Sequence, residues 1–426
     1  MIGKELHKFA SELWPLNRSL TGEGVRETLN KISKHLPNLV LKSVPSQTQV
    51  FDWTVPQEWA VRDAYIITPN GEKICDFSEN NLHLLGYSIP FSGEITLDEL
   101  KNHLYTSPEQ PEAIPFVTSY YKKRWGFCLT QNQFNSLEDG IYKVMIDTKL
   151  FDGELNYAEL LIHGKSEKEI FLSTYICHPS MANNELSGLA VTTFLAKWLN
   201  SIETLEYSYR IIFIPETIGS ITYLSKNHLE MKKKIFAGFN VTCVGDNRAY
   251  SYLPSRNGKT ISDIVANHIL KWTDKNFVIY NWLDRGSDER QFCAPGIDLP
   301  VASIMRTKYG EYPEYHTSLD NLENVVTSEG LEGGYWAIRR AIEAIEKNKK
   351  FKVKVFCEPH LGKRGLYPTI SVGKVDKDIS LMMNFLSLCD GRSSLLEIAE
   401  RLKVPIWDLY EVTNKLQKHN LIQIDE

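Results

Sequence analysis

The chain has 426 residues, 42% of them hydrophobic, so two or three domains are expected and global disorder is excluded. Its net charge of −5 gives no electrostatic reason to expect nucleic acid or a membrane surface as partner. Seven scattered cysteines without a Cys-x-x-Cys pair, no bilayer-length apolar run and no signal-peptide core after Met1 suggest a cytoplasmic protein with reduced thiols.

In chain order, the first 45 residues look helical. Ser19-Leu20-Thr21-Gly22-Glu23-Gly24 is a turn, and Val25, Leu29, Ile32 and Leu36 follow at helical spacing. From 46 to 165 the texture is that of strands. Ala64–Thr68 and Glu72–Cys75 flank Pro69-Asn70-Gly71, a hairpin signal. Ile141–Asp147 and Asn156–Ile162 are strand candidates joined by a turn at Asp152-Gly153. This segment reads as an inserted β-rich domain.

From 166 to 350, strands (Glu169–Thr174, Tyr207–Ile214) alternate with helices (Ser187–Leu199, Ser220–Met231, Ile261–Trp272, Ser328–Lys347). That alternation predicts an α/β fold: a mixed, mostly parallel sheet with helices on both faces, built from 1–45 and 166–350.

Residues 351–426 are expected to form a linker and a winged helix-turn-helix domain. A helix at Ile379–Leu388 comes first, then one opened by the capping-box spacing Ser394–Glu397. A third starts at Pro405 and carries Ile406, Leu409, Val412 and Leu416, and a strand closes the unit at Leu421–Ile424. This stretch holds 11 Lys/Arg and 10 Asp/Glu, and the candidate recognition helix mixes Asp408 and Glu411 with Lys415 and Lys418. A DNA reader needs a basic face. A protein contact or a homo-oligomer fits this near-neutral unit better.

The stretch most suggestive of chemistry is Cys177-His178-Pro179-Ser180-Met181-Ala182-Asn183-Asn184-Glu185-Leu186-Ser187-Gly188. It lies between the apolar run Ile170–Ile176 and a helical pattern, which places it at the carboxyl end of a strand, where open α/β sheets bind ligands. Glu216 ends the strand Tyr207–Ile214 in the same way and is a candidate metal ligand or general base. The loop Arg285-Gly286-Ser287-Asp288-Glu289-Arg290 and the loop Tyr312–Asp320, with Tyr315 and His316, follow. Zinc needs three or four N/O donors with one position open for water. His178, Asn184, Glu185, Glu216 and His316 would supply that set. Blander roles stand beside these: Asn183-Asn184 as a helix cap, Glu185 as a partner of the helix dipole, Asp288 and Arg290 as a structural ion pair, Cys177 and Cys293 as small buried residues.

This ordered series resembles the co-catalytic zinc aminopeptidases, and more closely a branch of bacterial aminopeptidases with an inserted β-domain and a C-terminal winged helix. The resemblance covers essentially the whole chain. It implies metal ligands at His178 and His316, with Asn184 where the family has a bridging aspartate. Pro179-Ser180 replaces the family's His-x-Asp continuation, Glu216 stands alone where the family has paired glutamates, and Thr242 falls where a further aspartate is expected. Losing these anionic donors favours one zinc ion over two. Glu185 would supply the missing carboxylate, and Glu216 would be base or ligand. Asp288, Arg290 and Tyr315 would bind substrate.

The expected function is therefore a zinc-dependent aminopeptidase-like hydrolase of a peptide or small amide. The alternative is a degenerate peptidase-like binding protein that uses its winged helix for partner or DNA contact.

Overall fold

The computed structural model describes residues 2–120, 122–366 and 377–425. Helices Ile2–Leu13 and Glu23–Ser33 open the chain, the second burying Val25, Thr28, Leu29 and Ile32. Residues Val40–Pro45, expected within the helical region, form an edge strand paired antiparallel with Glu154–Ile162. Pro37 stops the preceding helix, and an edge position tolerates Pro45.

The main sheet has eight strands in the order Val40–Pro45, Glu154–Ile162, Tyr207–Ile214, Ser166–Tyr175, Ile235–Asn240, Val301–Met305, Ser251–Leu253 and Val278–Ile279. Neighbours from Tyr207–Ile214 through Val301–Met305 pair in parallel, so their carboxyl ends share one rim. Glu154–Ile162, expected inside the inserted domain, belongs to this sheet. Its run Leu155–Leu160 is buried throughout, as a strand covered on both faces requires. Beneath the sheet, buried Arg210 joins Glu169 (2.6 Å), Glu159 (3.0 Å) and the Tyr223 hydroxyl (3.0 Å).

The inserted sheet runs Lys73–Ile74, Glu58–Ile67, Ile141–Phe151, Phe91–Thr96, all antiparallel. The hairpin expected around Asn70-Gly71 is present, pairing Ile66 with Ile74. Trp59, Tyr87 and Ile146 of this module share one buried cluster with Phe171 and Ile212 of the main sheet and with Phe292 of the helix Glu289–Phe292.

A second compact unit comprises Ile264–Lys275 and Ala337–Glu426. Helices Lys377–Leu388, Leu395–Leu402 and Asp408–Lys418 pack with a three-stranded sheet. Lys350–Val353, expected at the boundary and in the linker, is the central strand of that sheet, between Asp390–Ser394 and Ile422–Ile424. The Ser394–Glu397 capping box is formed. Residues 367–376 of the expected linker lie outside the described residues. Among the described residues no helix is long and apolar enough to cross a membrane, and all seven cysteines are free thiols.

Within this unit the buried ring of His268 donates from Nδ1 to Glu400 (2.5 Å) and accepts the Ile406 N–H at Nε2 (2.9 Å). Burial lowers its proton affinity despite Glu400. The unfolded chain therefore protonates this ring first, so the stabilisation is complete above about pH 6.5 and is lost as pH falls through the lowered folded value. Urea unfolding at pH 7 and pH 5 should show lower stability at the acid value, and His268→Ala should cost about 2 kcal/mol at pH 7 while flattening that dependence.

Candidate active site

The four ordered loops meet at the carboxyl rim of the parallel strands. After the strand Ser166–Tyr175, the chain makes a π-helical turn, Ala182–Leu186, that runs into the helix Ser187–Asn200. Gly188 lets this helix press on the neighbouring strand end, because a Cβ there would lie 2.4 Å from the Val241 carbonyl oxygen. Asp320 closes the turn: its carboxylate accepts the N–H groups of Asn183 (2.7 Å) and Asn184 (3.0 Å). An anion at a helix amino end is stabilised by the exposed N–H groups and the dipole.

Glu185 is fully buried beneath His178. Its carboxylate receives Arg18 Nε at 2.6 Å, the Cys177 N–H at 2.7 Å and, more tightly, the His178 N–H. It also lies 3.0 Å from His178 Nδ1. A carboxylate only accepts, so the ring proton sits on Nδ1 and Nε2 is left with its lone pair. Burial opposes a charge on His178, but the bond to Glu185 outweighs it and the ring's proton affinity is raised. Arg18 also donates to the carbonyls of His178 and Leu13, tying the loop after the first helix to this strand end.

His178 Nε2 faces Glu216 Oε2 at 3.8 Å. Burial raises the proton affinity of Glu216, opposed by the charges of His178 and Arg290. Thr217, the next residue, has φ 61°, a strained conformation for a β-branched residue. Asp288 holds it there by accepting the Thr217 N–H (2.8 Å) and the Ser220 hydroxyl (2.7 Å). Asp288 is completely buried, and that burial, reinforced by the charge of Glu216, pushes its carboxyl up to about 8. Arg290 reaches the Thr217 hydroxyl at 2.9 Å. No ion pair joins Asp288 to Arg290 among the described residues.

His316 completes the rim, its ring centroid 5.4 Å from that of His178 and stacked on Tyr315 at 3.9 Å. Burial, with the charge of His178, lowers its proton affinity to about 3, so it presents a neutral imidazole. A strap from the inserted module lies across this loop. The Phe116 N–H donates to the His316 carbonyl (2.8 Å), and Ile114 and Ser318 exchange hydrogen bonds (2.9 and 3.0 Å). The Phe116 ring lies 5.3 Å from both histidine rings.

The donor types present, imidazole nitrogen and carboxylate oxygen, suit a zinc-class ion. His178 and Glu216 lie within reach of a shared ion, since 3.8 Å between Nε2 and Oε2 is close to the roughly 3.4 Å that separates two ligands on tetrahedral zinc, while His316 stands further off, its ring centroid 5.4 Å from that of His178. Asn184 Oδ1 accepts from Tyr175 (2.7 Å) but keeps a second lone pair. Thr242, at the expected aspartate position, spends its hydroxyl on Asn184 O (2.8 Å), and Glu185 is neutralised by Arg18. The thiol of Cys177 lies close to His178 and Glu185, but burial among carboxylates pushes its proton affinity far up and keeps it from acting as a thiolate.

His178, Glu216, His316 and Tyr315 thus line the rim, with Arg290 exposed beside them, while Asn184, Glu185 and Asp288 are enclosed. Sequence reasoning missed Arg18, Phe116 and Asp320. Asp320 closes the quoted Tyr312–Asp320 loop and was within reach. Arg18 and Phe116 lie far away in the chain, and no local pattern marks them.

A family model described as "Domain of unknown function (DUF4910)" matches residues 7–348, and one described as "winged helix-turn-helix" matches residues 350–424. Over 399 residues the chain is 47% identical to a Clostridium acetobutylicum protein named "Putative polysaccharide biosynthesis protein with aminopeptidase-like domain", covering 93% of this chain and 91% of that one. The crystal structure of a "putative peptidase" from the same organism superposes with a TM-score of 0.92 at 43% identity, covering 99% of this chain and 96% of that one. BSAP, a zinc aminopeptidase from Bacillus subtilis, shares the fold at a TM-score of 0.59 and 12% identity, covering 80% of this chain and 95% of its own.

Arg18→Met should leave Glu185 buried without a counter-charge and cost about 3–5 kcal/mol in urea unfolding. Adding Glu185→Gln should recover much of that loss, and a strictly additive double variant would show that the two are uncoupled.

Proposed function

The chain belongs to the DUF4910 family, and from that membership and its aminopeptidase-like fold we propose that it is a metal-dependent hydrolase of a peptide or small amide bond. The observation that carries this reading is the pairing of His178 with Glu216. Glu185 fixes the ring through Nδ1 and leaves Nε2 facing a carboxylate whose proton affinity burial has raised. Histidine ligands are commonly held in this way by a carboxylate behind the ring.

His178 and His316 would hold one zinc-class ion, with the Asn184 amide oxygen as a neutral third donor. Such an ion supplies Lewis acidity that polarises an amide carbonyl and makes water more acidic. Glu216 acts as general base, taking a proton from the attacking water and passing it to the leaving nitrogen. Asp288 keeps its own proton near neutrality, so no second negative charge competes with Glu216. Phe116 and Tyr315 restrict water around the two imidazoles.

A second reading, a binding protein without turnover, is favoured by the commitment of Glu185 to Arg18 and to His178 Nδ1, which leaves Glu216, among the described residues, as the carboxylate facing His178 Nε2. The near-neutral winged helix is assigned to protein contact under either reading.

Elemental analysis after zinc loading should give one ion per chain, falling in His178→Ala and His316→Ala. Glu216→Gln should keep the ion and lose about 10²–10⁴-fold in hydrolysis of an amide panel. Zinc-loaded protein that cleaves no aminoacyl, N-acyl or acyl-sugar amide would leave the binding reading, and loss of the ion in Glu216→Gln would make that residue a ligand.

A further inference from the structure

We propose that the substrate carries a carboxylate beside its scissile amide and that Arg290 receives it; this rests on the hydrolase reading above. The argument begins with charge. Asp288, expected among the substrate-binding residues, is enclosed, with Oδ1 occupied by the Thr217 N–H and the Ser220 hydroxyl and Oδ2 sealed from solvent. Glu216 faces His178 Nε2 and is already assigned the role of base. No anion remains at this rim to accept a substrate ammonium group among the described residues.

The group that does remain is a cation. Arg290 is exposed at the mouth, and one guanidinium nitrogen is fixed to the Thr217 hydroxyl at 2.9 Å. No carboxylate pairs with it among the described residues. One nitrogen is thus anchored on the residue that directly follows Glu216, and the guanidinium charge is felt by Glu216 itself. Its charge also acts on the enclosed Asp288 and on Tyr315. A planar guanidinium with donors to spare matches a carboxylate in a two-pronged hydrogen bond. An ammonium group in the same place would meet Arg290 and a divalent ion, both repulsive. The ligand class is therefore an N-acylated acid, cleaved at the amide next to its carboxylate.

Calorimetry on the full chain, with and without one equivalent of Zn²⁺, tests this using N-benzoylglycine, N-benzoylglycinamide and glycine anilide. The acid should bind about tenfold more tightly than the amide, and glycine anilide should bind weakest. Arg290→Gln should bring the acid and the amide to parity, Arg290→Lys should keep part of the preference, and high salt should shrink it in the native protein only. Unchanged urea unfolding of both variants separates recognition from folding. Tightest binding of the ammonium probe, an acid-to-amide ratio untouched in Arg290→Gln, or no binding of any probe would overturn the assignment. The metal content of the same samples reports separately on the hydrolase reading: an Arg290-dependent acid preference in protein that takes up no metal would sustain the recognition site while that reading fails.

Discussion

The desolvated carboxylate of Glu185 is the constraint on which the rim depends. An anion inside a protein is tolerated only when donors surround it, and Glu185 has Arg18, two backbone N–H groups and the His178 ring. Each donor belongs to a part of the site that has to be placed. The backbone donors fix the end of the central strand, the ring donor fixes the tautomer and direction of His178, and Arg18 brings in the loop after the first helix. The amino-terminal helices thus act on the chemistry through one charge, although they present no group to a substrate.

Around that anchor the loops are held in costly backbone states. Ser180, Thr217 and His316 all have positive φ without being glycine, each worth about 1–3 kcal/mol of strain. Each is clamped by a specific partner: Ser180 through its hydroxyl to Asn81, Thr217 through Asp288, and His316 through the Phe116 N–H. The strain sits at the residue after Glu216, two residues after His178 and at His316 itself, where fixed geometry matters most to a reaction. The surrounding core supplies the rigidity that keeps it there.

Much of this was legible in the sequence because it is periodic or local. The strand Tyr207–Ile214 and the helix Ser328–Lys347 were expected with the bounds they have, and the order of the loops placed His178, Glu216 and His316 on one rim. Errors fell where pairing is long-range. Glu154–Ile162 was assigned to the inserted domain by proximity in the chain, yet it pairs with Val40–Pro45 and Tyr207–Ile214. Lys350–Val353 looked like a charged linker because its partners come some 40 and 70 residues later. The role expected of Glu185 could not be weighed without Arg18, 167 residues away.

The strap at Ile114–Phe116 carries a consequence for how this architecture is inherited. The module that supplies it is an insertion in the chain, but the strap hydrogen-bonds the loop of His316 and its ring closes over both imidazoles. The insertion is therefore not a cassette that recombination could exchange while leaving a working core behind. A lineage that trimmed it would also have to find another way to hold His316 in its left-handed turn. Within this chain, removing the insertion would strip His316 of its backbone clamp and both imidazoles of their aromatic neighbour.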